Sequence, residues 1–391
     1  MSFPQQSTPA SLPRNHGIDS LRGLAILLVV LHHMGLRIAL KSTALADFLP
    51  ARVLNAFNYN GYEAVFVFFV ISGFLIASHA LARYGRLAQI DVRAFYVRRA
   101  TRIVPCLVLL VAVLALLDGL GAKDYVIDRE GQSLGRAIVA AFGLHLNWYE
   151  GATGYLPGNW DVLWSLSIEE TFYLGFPLLC LSVRSERLLA IVLVALVLVL
   201  PFSLMSITDN EIWKEKAYLP GMAAIAAGVL VALIARCWMP RRRVATALAA
   251  IGVAGLLTLM FAMRELWPLF HDTVMLLLVV CSACLVLALA WLHDGSACPL
   301  RATGWLRSMG RLSYEIYLGH MFVVFAVVAA FNASGGNLHQ GYLWYLPAVL
   351  LAWALGALVA RLYTLPCESW LRKRLQKLRV PRTGLATVTV A

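Results

Sequence analysis

The feature that most constrains this chain is a succession of apolar segments, each about as long as a bilayer is thick. Ten run roughly over 21–40, 61–82, 103–120, 160–182, 187–207, 219–237, 244–262, 272–292, 311–331 and 343–366. A helix of about 20 apolar residues crosses the hydrocarbon core and satisfies its own backbone hydrogen bonds there. Water is no alternative, because 60% of the residues are hydrophobic and only 14% charged, with a mean hydropathy of +0.74. That leaves too little polar surface to cover a soluble domain of this size. The expected fold class is all-α, a polytopic membrane bundle of about ten transmembrane helices. An eleventh stretch, 136–148, is short for a span and reads as an interfacial or re-entrant piece.

The net charge of +12 invites a nucleic-acid reading, and its distribution argues against one. With the N-terminus inside, the inside segments hold 24 Lys and Arg and the outside segments 9. That asymmetry is the mark of topology and supports both termini being cytoplasmic; the expected location is a bacterial inner (cell) membrane, crossed many times. The basic rim would meet anionic lipid headgroups. Residues 1–17, rich in Ser, Pro and Gln, read as a disordered tail, 18–375 as the membrane domain and 376–391 as a second tail. The first apolar segment carries Arg22, His32 and His33, unlike the plain apolar core of a cleavable signal peptide. Cys106, Cys180, Cys237, Cys298 and Cys367 fall at cytoplasmic ends, and Cys281 and Cys284 inside a span, so no disulfide framework is expected. The Cys281–Cys284 pair reads as core packing.

Titratable residues inside a bilayer are costly, and each is a functional candidate by default. Arg22 and His33 are eleven residues apart, about 16 Å and three turns plus about 20°, so they share one helix face. His32 points roughly 80° away. A cation near the inner surface and an imidazole farther in could hold the two ends of one elongated substrate. The bland reading, a snorkelling Arg22 and a His33 bonded to a neighbouring helix, stands level with it. In FYVRRATRIVP, Arg98, Arg99 and Arg102 can take phosphates through charge-assisted bonds, and Pro105 permits a local break. A positive-inside stop signal explains the same run. In WSLSIEETFYL, Ser165, Glu169 and Tyr173 share a face, while Glu170 points elsewhere and reads as structural. Glu169 could serve as base or orient a histidine; an ion pair with Arg22 is the bland alternative. In GRLSYEIYLGH, Ser313, Tyr317 and His320 share a face, with Glu315 well off it. No Gly-x-Ser-x-Gly elbow accompanies them, and no His-Glu-x-x-His, so neither a serine hydrolase nor a metal site is expected.

These stretches, in this order, resemble the acyltransferase 3 family of membrane acyltransferases. IDSLRGLAILLVVLHH is similar to the family's first-helix motif, with Asp19, Arg22 and His33 in place. FFVISGFLI matches its Ser-Gly-Phe-Leu signature at Ser72, Gly73, Phe74 and Leu75. The arginine run, the Glu169–Glu170 pair and the late Ser-Tyr-x-x-Tyr-Leu-x-His motif follow, and Glu368 matches a terminal Glu. Departures are Thr171 where Gln is usual, Glu315 at a commonly small position, and Ser369 and Trp370 in place of a Pro-containing end.

The resemblance implies transfer of an acyl group, usually acetyl, from cytoplasmic acyl-coenzyme A to a hydroxyl of a glycan. No cofactor would be bound permanently. It implies His33 and Glu169 as catalytic, and Arg22, Arg98, Arg99 and Arg102 as donor-binding. Asp19, Ser72, Glu170, Ser313, Tyr317 and His320 would support them or touch substrate. An imidazole suits the base because its unperturbed pKa lies near ~6.5. Larger relatives carry a fused extracytoplasmic esterase-like domain; a chain without one would complete the transfer itself or hand the acyl group to a partner. The competing reading is a transporter or flippase of polar lipids or acyl groups, its buried charges lining a pathway.

Overall fold

A computed structural model describes residues 14–207, 209–293 and 301–377. They form helices throughout, with no strand among the described residues. In chain order these are α1 (His16–Gly35), α2 (Ala51–Tyr59), α3 (Gly61–Tyr84), α4 (Val92–Gly119), α5 (Leu134–Phe142) and α6 (Leu146–Thr153). Then come α7 (Gly158–Asp161), α8 (Leu163–Val183), α9 (Glu186–Met205), α10 (Glu211–Lys216), α11 (Tyr218–Cys237) and α12 (Arg242–Phe270). The chain continues through α13 (Val274–Trp291), α14 (Gly304–Arg311), α15 (Ser313–Ala333), α16 (Tyr345–Val359) and α17 (Leu365–Lys377).

Nine stretches among the described residues are long and apolar enough to cross a membrane. The longest, Arg242–Trp291, folds back at 271–273 and contains both α12 and α13, so each of the ten expected segments has its helix. The outward faces agree with lipid as solvent. Ile191 and Phe202 on α9 and Ile251 on α12 are 65%, 69% and 62% exposed. Water would not tolerate such rows, whereas acyl chains match them.

Local chemistry sets where helices start and how closely they pack. Asn15 caps α1, its Oδ1 accepting the Gly17 and Ile18 N–H at 3.0 and 3.1 Å. The helix therefore begins at His16, inside the stretch read as a tail; 1–13 and 378–391 lie outside the described residues, as does Cys298. Gly73 of α3 lies on the Ile225 carbonyl of α11, where a Cβ would come within 1.9 Å, and Gly228 meets Val70 in the same way. Gly23 and Gly310 bring α1 onto α14 just as closely. Small residues that let backbones touch are how membrane helices associate without a hydrophobic drive between them. Three motif glycines thus have a packing reason.

One expectation is corrected. Pro105 does not break α4, which runs as one helix through it; neighbouring groups commonly take up the freed carbonyl in membrane helices. The 136–148 stretch is two short helices, α5 and α6, divided at Leu144, whose φ is 58°.

The packed interior falls into two apolar clusters. The larger joins α1, α3, α8, α9, α11, α13, α15 and α16. The smaller joins α4, α5 and α6 to the near edges of α8 and α15. The functional candidates gather along the seam between them.

Candidate active site

The face shared by Arg22 and His33 is turned toward α15. The Arg22 Nη2 donates to Ser313 Oγ at 2.7 Å, and His33 Nδ1 stands 3.3 Å from His320 Nε2. Both rungs advance together, so α1 and α15 lie side by side in the same direction.

A cavity of about 500 Å³ opens among α1, α3, α4, α8, α15 and α17. Nine of the twelve sequence candidates line it: Arg22, Ser72, Arg98, Arg99, Arg102, Glu169, Glu170, Ser313 and Tyr317. The arginines are held by aromatic groups rather than by carboxylates. Arg98 donates to the Tyr84 hydroxyl at 2.6 Å, and Arg99 lies over the Tyr173 ring at 4.1 Å. None of the ion pairs formed among the described residues involves Arg22, Arg98, Arg99 or Arg102. Four guanidinium groups gathered with only Glu169 and Glu170 beside them, and no close ion pair, suit an anionic, multiply bonded ligand such as a phosphate.

Glu169 lies where expected, on the face with Ser165 and Tyr173, and accepts the Tyr173 hydroxyl. It does not orient His33, whose polar partner is His320; that expectation is corrected. Glu170 also departs from its expected place, because it lines the same cavity and its buried Oε1 has no hydrogen-bond partner among the described residues. Asp19 lies apart from the cavity and pairs with Arg14 at 2.7 Å, near the start of α1.

His33 and His320 stand one turn beyond the cavity wall. The wall closes there with Tyr317, whose hydroxyl is 2.6 Å from Ser165 Oγ and whose ring lies 5.9 Å from that of His320. The hydrogen bonds assign the protons on both imidazoles. His33 Nδ1 is 2.9 Å from the Val29 carbonyl, and His320 Nδ1 is 2.7 Å from the Tyr317 carbonyl. Carbonyls only accept, so Nδ1 carries the proton on each ring. His33 Nδ1–H is then shared between the Val29 carbonyl and His320 Nε2, and His33 Nε2 keeps its lone pair. A nitrogen so placed can take a proton from a hydroxyl. His32 faces elsewhere, with its Nδ1 3.0 Å from the Asn58 carbonyl of α2.

Sequence reasoning missed His79, Arg83 and Arg372, all in the cavity wall. The first two were findable, because Ser72, His79 and Arg83 recur at i, i+7 and i+11 on one face of α3. Arg372 was not. It follows a π-helical turn at Ala360–Thr364, which changes the face that α17 presents.

The sequence profile described as an acyltransferase domain, acyltransferase 3, matches residues 15–362. The O-acetyltransferase OatA of Staphylococcus aureus is 24% identical over 349 residues, 81% of this chain and 51% of that protein. The peptidoglycan O-acetyltransferase OatA of Listeria monocytogenes is 26% identical over 216 residues, 52% of this chain and 29% of that protein. The chain thus spans about half the length, or less, of the curated relatives it matches. No solved structure matches it at a significant level. With the profile covering nearly all of the bundle, and its motif residues drawn around one cavity, the chain belongs to the acyltransferase 3 family.

Proposed function

We propose that the protein moves an acyl group, acetyl in the first instance, from cytoplasmic acyl-coenzyme A to a hydroxyl of an extracytoplasmic carbohydrate. A surface polysaccharide or exopolysaccharide is the acceptor class. The observation that carries this reading is the single cavity that gathers Arg22, Arg98, Arg99 and Arg102 and ends one turn short of the His33–His320 pair. Phosphates of the donor would lie against the arginines, and its thioester would reach toward Tyr317 and Ser165. His33 Nε2 would take the proton of the acceptor hydroxyl as its oxygen attacks the thioester carbonyl; the C–S bond then breaks, and the thiolate leaves as the thiol by taking that proton back. Glu169, beside the arginines, tunes the charge that meets the donor.

The relatives' names support acetyl as the acyl group. The Lys and Arg asymmetry of 24 against 9 supports cytoplasmic termini in the inner membrane, and hence a cytoplasmic mouth for the cavity. The test compares O-acylation of surface polysaccharide and peptidoglycan, by mass spectrometry, in cells with and without the gene. Loss of ester on one glycan, restored by the intact gene and not by His33→Ala, is expected. Identical ester content in all strains would remove the reading.

A further inference from the structure

Coenzyme A carries phosphate in two places, a diphosphate on the 5′ side of its ribose and a phosphomonoester on the 3′ side. The cavity carries more arginines than the α4 run and Arg22 supply. Arg98, Arg99 and Arg102 follow one another on α4 and approach Arg22. Arg83 of α3 and Arg372 of α17 line the same cavity from two other helices, and both are exposed. The eleven residues from Ser72 to Arg83 put Arg83 about 16 Å along α3 from the inner wall.

Arg372 is brought there by a specific device. The π-helical turn at Ala360–Thr364 carries one residue more than an α-helical turn. One extra residue rotates everything after it by about 100°. α17 then packs on α4, with Arg372 in the cavity wall. Glu368, one turn earlier, accepts from Arg372 Nη2 at 2.5 Å and holds one edge of the guanidinium. Five N–H donors belong to that group, so the rest can take a phosphate. The Arg372 side chain stays 46% exposed, open to solvent and to a ligand entering the mouth.

We infer that Arg83 and Arg372 form a second phosphate subsite, which takes the terminal 3′-phosphomonoester of the nucleotide donor. The inference rests on the donor reading above. Arg83 and Arg372 are then specificity residues, with Glu368 positioning the latter. They select the full donor over one lacking that phosphate, while the α4 arginines take the diphosphate that both share.

The test uses the full chain in nanodiscs of neutral lipid and titrates coenzyme A against dephospho-coenzyme A, which lacks only the 3′-phosphate. The intact protein should prefer coenzyme A by roughly tenfold or more, the effect of a charge-assisted bond. Arg83→Ala and Arg372→Ala should each weaken coenzyme A toward the level of dephospho-coenzyme A. Unchanged binding of dephospho-coenzyme A shows that the variants are folded. Glu368→Gln should lose a smaller part of the preference. A preference that survives both arginine variants, or equal weakening of both ligands, overturns the inference. So does an arginine effect seen only in nanodiscs of phosphatidylglycerol, which would make a lipid headgroup the occupant. If the intact protein binds neither nucleotide, the donor reading itself falls.

Discussion

Two charged regions of this molecule are built on opposite plans. Where α6, α7 and α10 meet, Lys216 is 1% exposed and its ammonium binds Glu150 Oε2 at 2.8 Å and the Asp161 carboxylate. The same nitrogen lies 4.3 Å from the Tyr155 ring centroid, and the other Glu150 oxygen accepts the Leu156 N–H at 3.0 Å. Burial and the neighbouring Glu215 carboxylate push the Tyr155 phenol up to about 12, so it stays a donor to Glu215 at 2.9 Å. In the arginine cavity the partners are instead hydroxyls and ring faces, and a buried Glu170 oxygen has no hydrogen-bond partner among the described residues. Burying an ion costs several kcal/mol unless charge and hydrogen bonds compensate it. The first region meets that condition within the chain. The second forms no close ion pair among the described residues and leaves guanidinium donors for water or a ligand, which is what a binding site requires.

The sharpest way to break this contrast is His33→Ala set beside His32→Ala. Both imidazoles sit in α1, but His33 meets His320 and His32 meets the Asn58 carbonyl. Removing a general base lowers transfer by about 10²–10⁴-fold. His32→Ala should keep most of the activity and lose some stability, about 0.5–1.5 kcal/mol for one hydrogen bond. Acyl transfer in membranes, normalised to inserted protein, is the measurement. An active His33→Ala would favour a transport pathway over a transfer site.

Next in size are the carboxylates of the cavity. Glu169→Gln keeps the shape beside Tyr173 and removes the charge from among the arginines, so transfer should fall about tenfold or more, at ~1.5–3 kcal/mol for a charged hydrogen bond. Glu170→Gln should fall less, since that group bonds nothing on its buried side. The reverse order in the same assay would move the working carboxylate to Glu170.

The arginines of α4 come third. Arg98→Ala and Arg102→Ala should raise the apparent KM for acyl-coenzyme A by roughly 10-fold or more each, by the same bond energies. The melting temperature should barely move, because Arg98 is half-buried and Arg102 exposed. Equal KM with unimpaired insertion would leave them as topology signals alone.

Helical periodicity made much of this legible and set its limit. It put Arg22 with His33, and Ser165 with Glu169 and Tyr173, on the faces that the bundle uses. A face does not name the neighbour it meets, so Glu169 was paired with a histidine when its bond goes to Tyr173. Adjacent Glu169 and Glu170 were expected to part, yet a cavity wide enough to touch several helices takes both. Lys216 and Glu150 lie outside the ten apolar segments, and no period links α6 to α10; their burial is decided by how short helices stack. Arg372 depended on a single π-helical turn, which leaves no pattern in the residues.

The smallest effect on transfer, and the largest on folding, is expected at Lys216. Lys216→Met removes the cation and leaves Glu150, fully buried, beside Asp161. Breaking a buried pair in this way costs about 3–5 kcal/mol, because the remaining charge has no compensation. Melting in detergent should drop steeply. Adding Glu150→Gln to Lys216→Met should recover part of the loss, since one uncompensated charge goes with it. Transfer per folded molecule should stay unchanged in both, as the cluster shares no residue with the cavity wall. Asp161 makes the test a strict one, because its charge also acts on His32 and Arg37 near the end of α1. If transfer falls while the folded amount is restored by Glu150→Gln, the paired cluster belongs to the site, and pairing no longer separates fold from function in this protein.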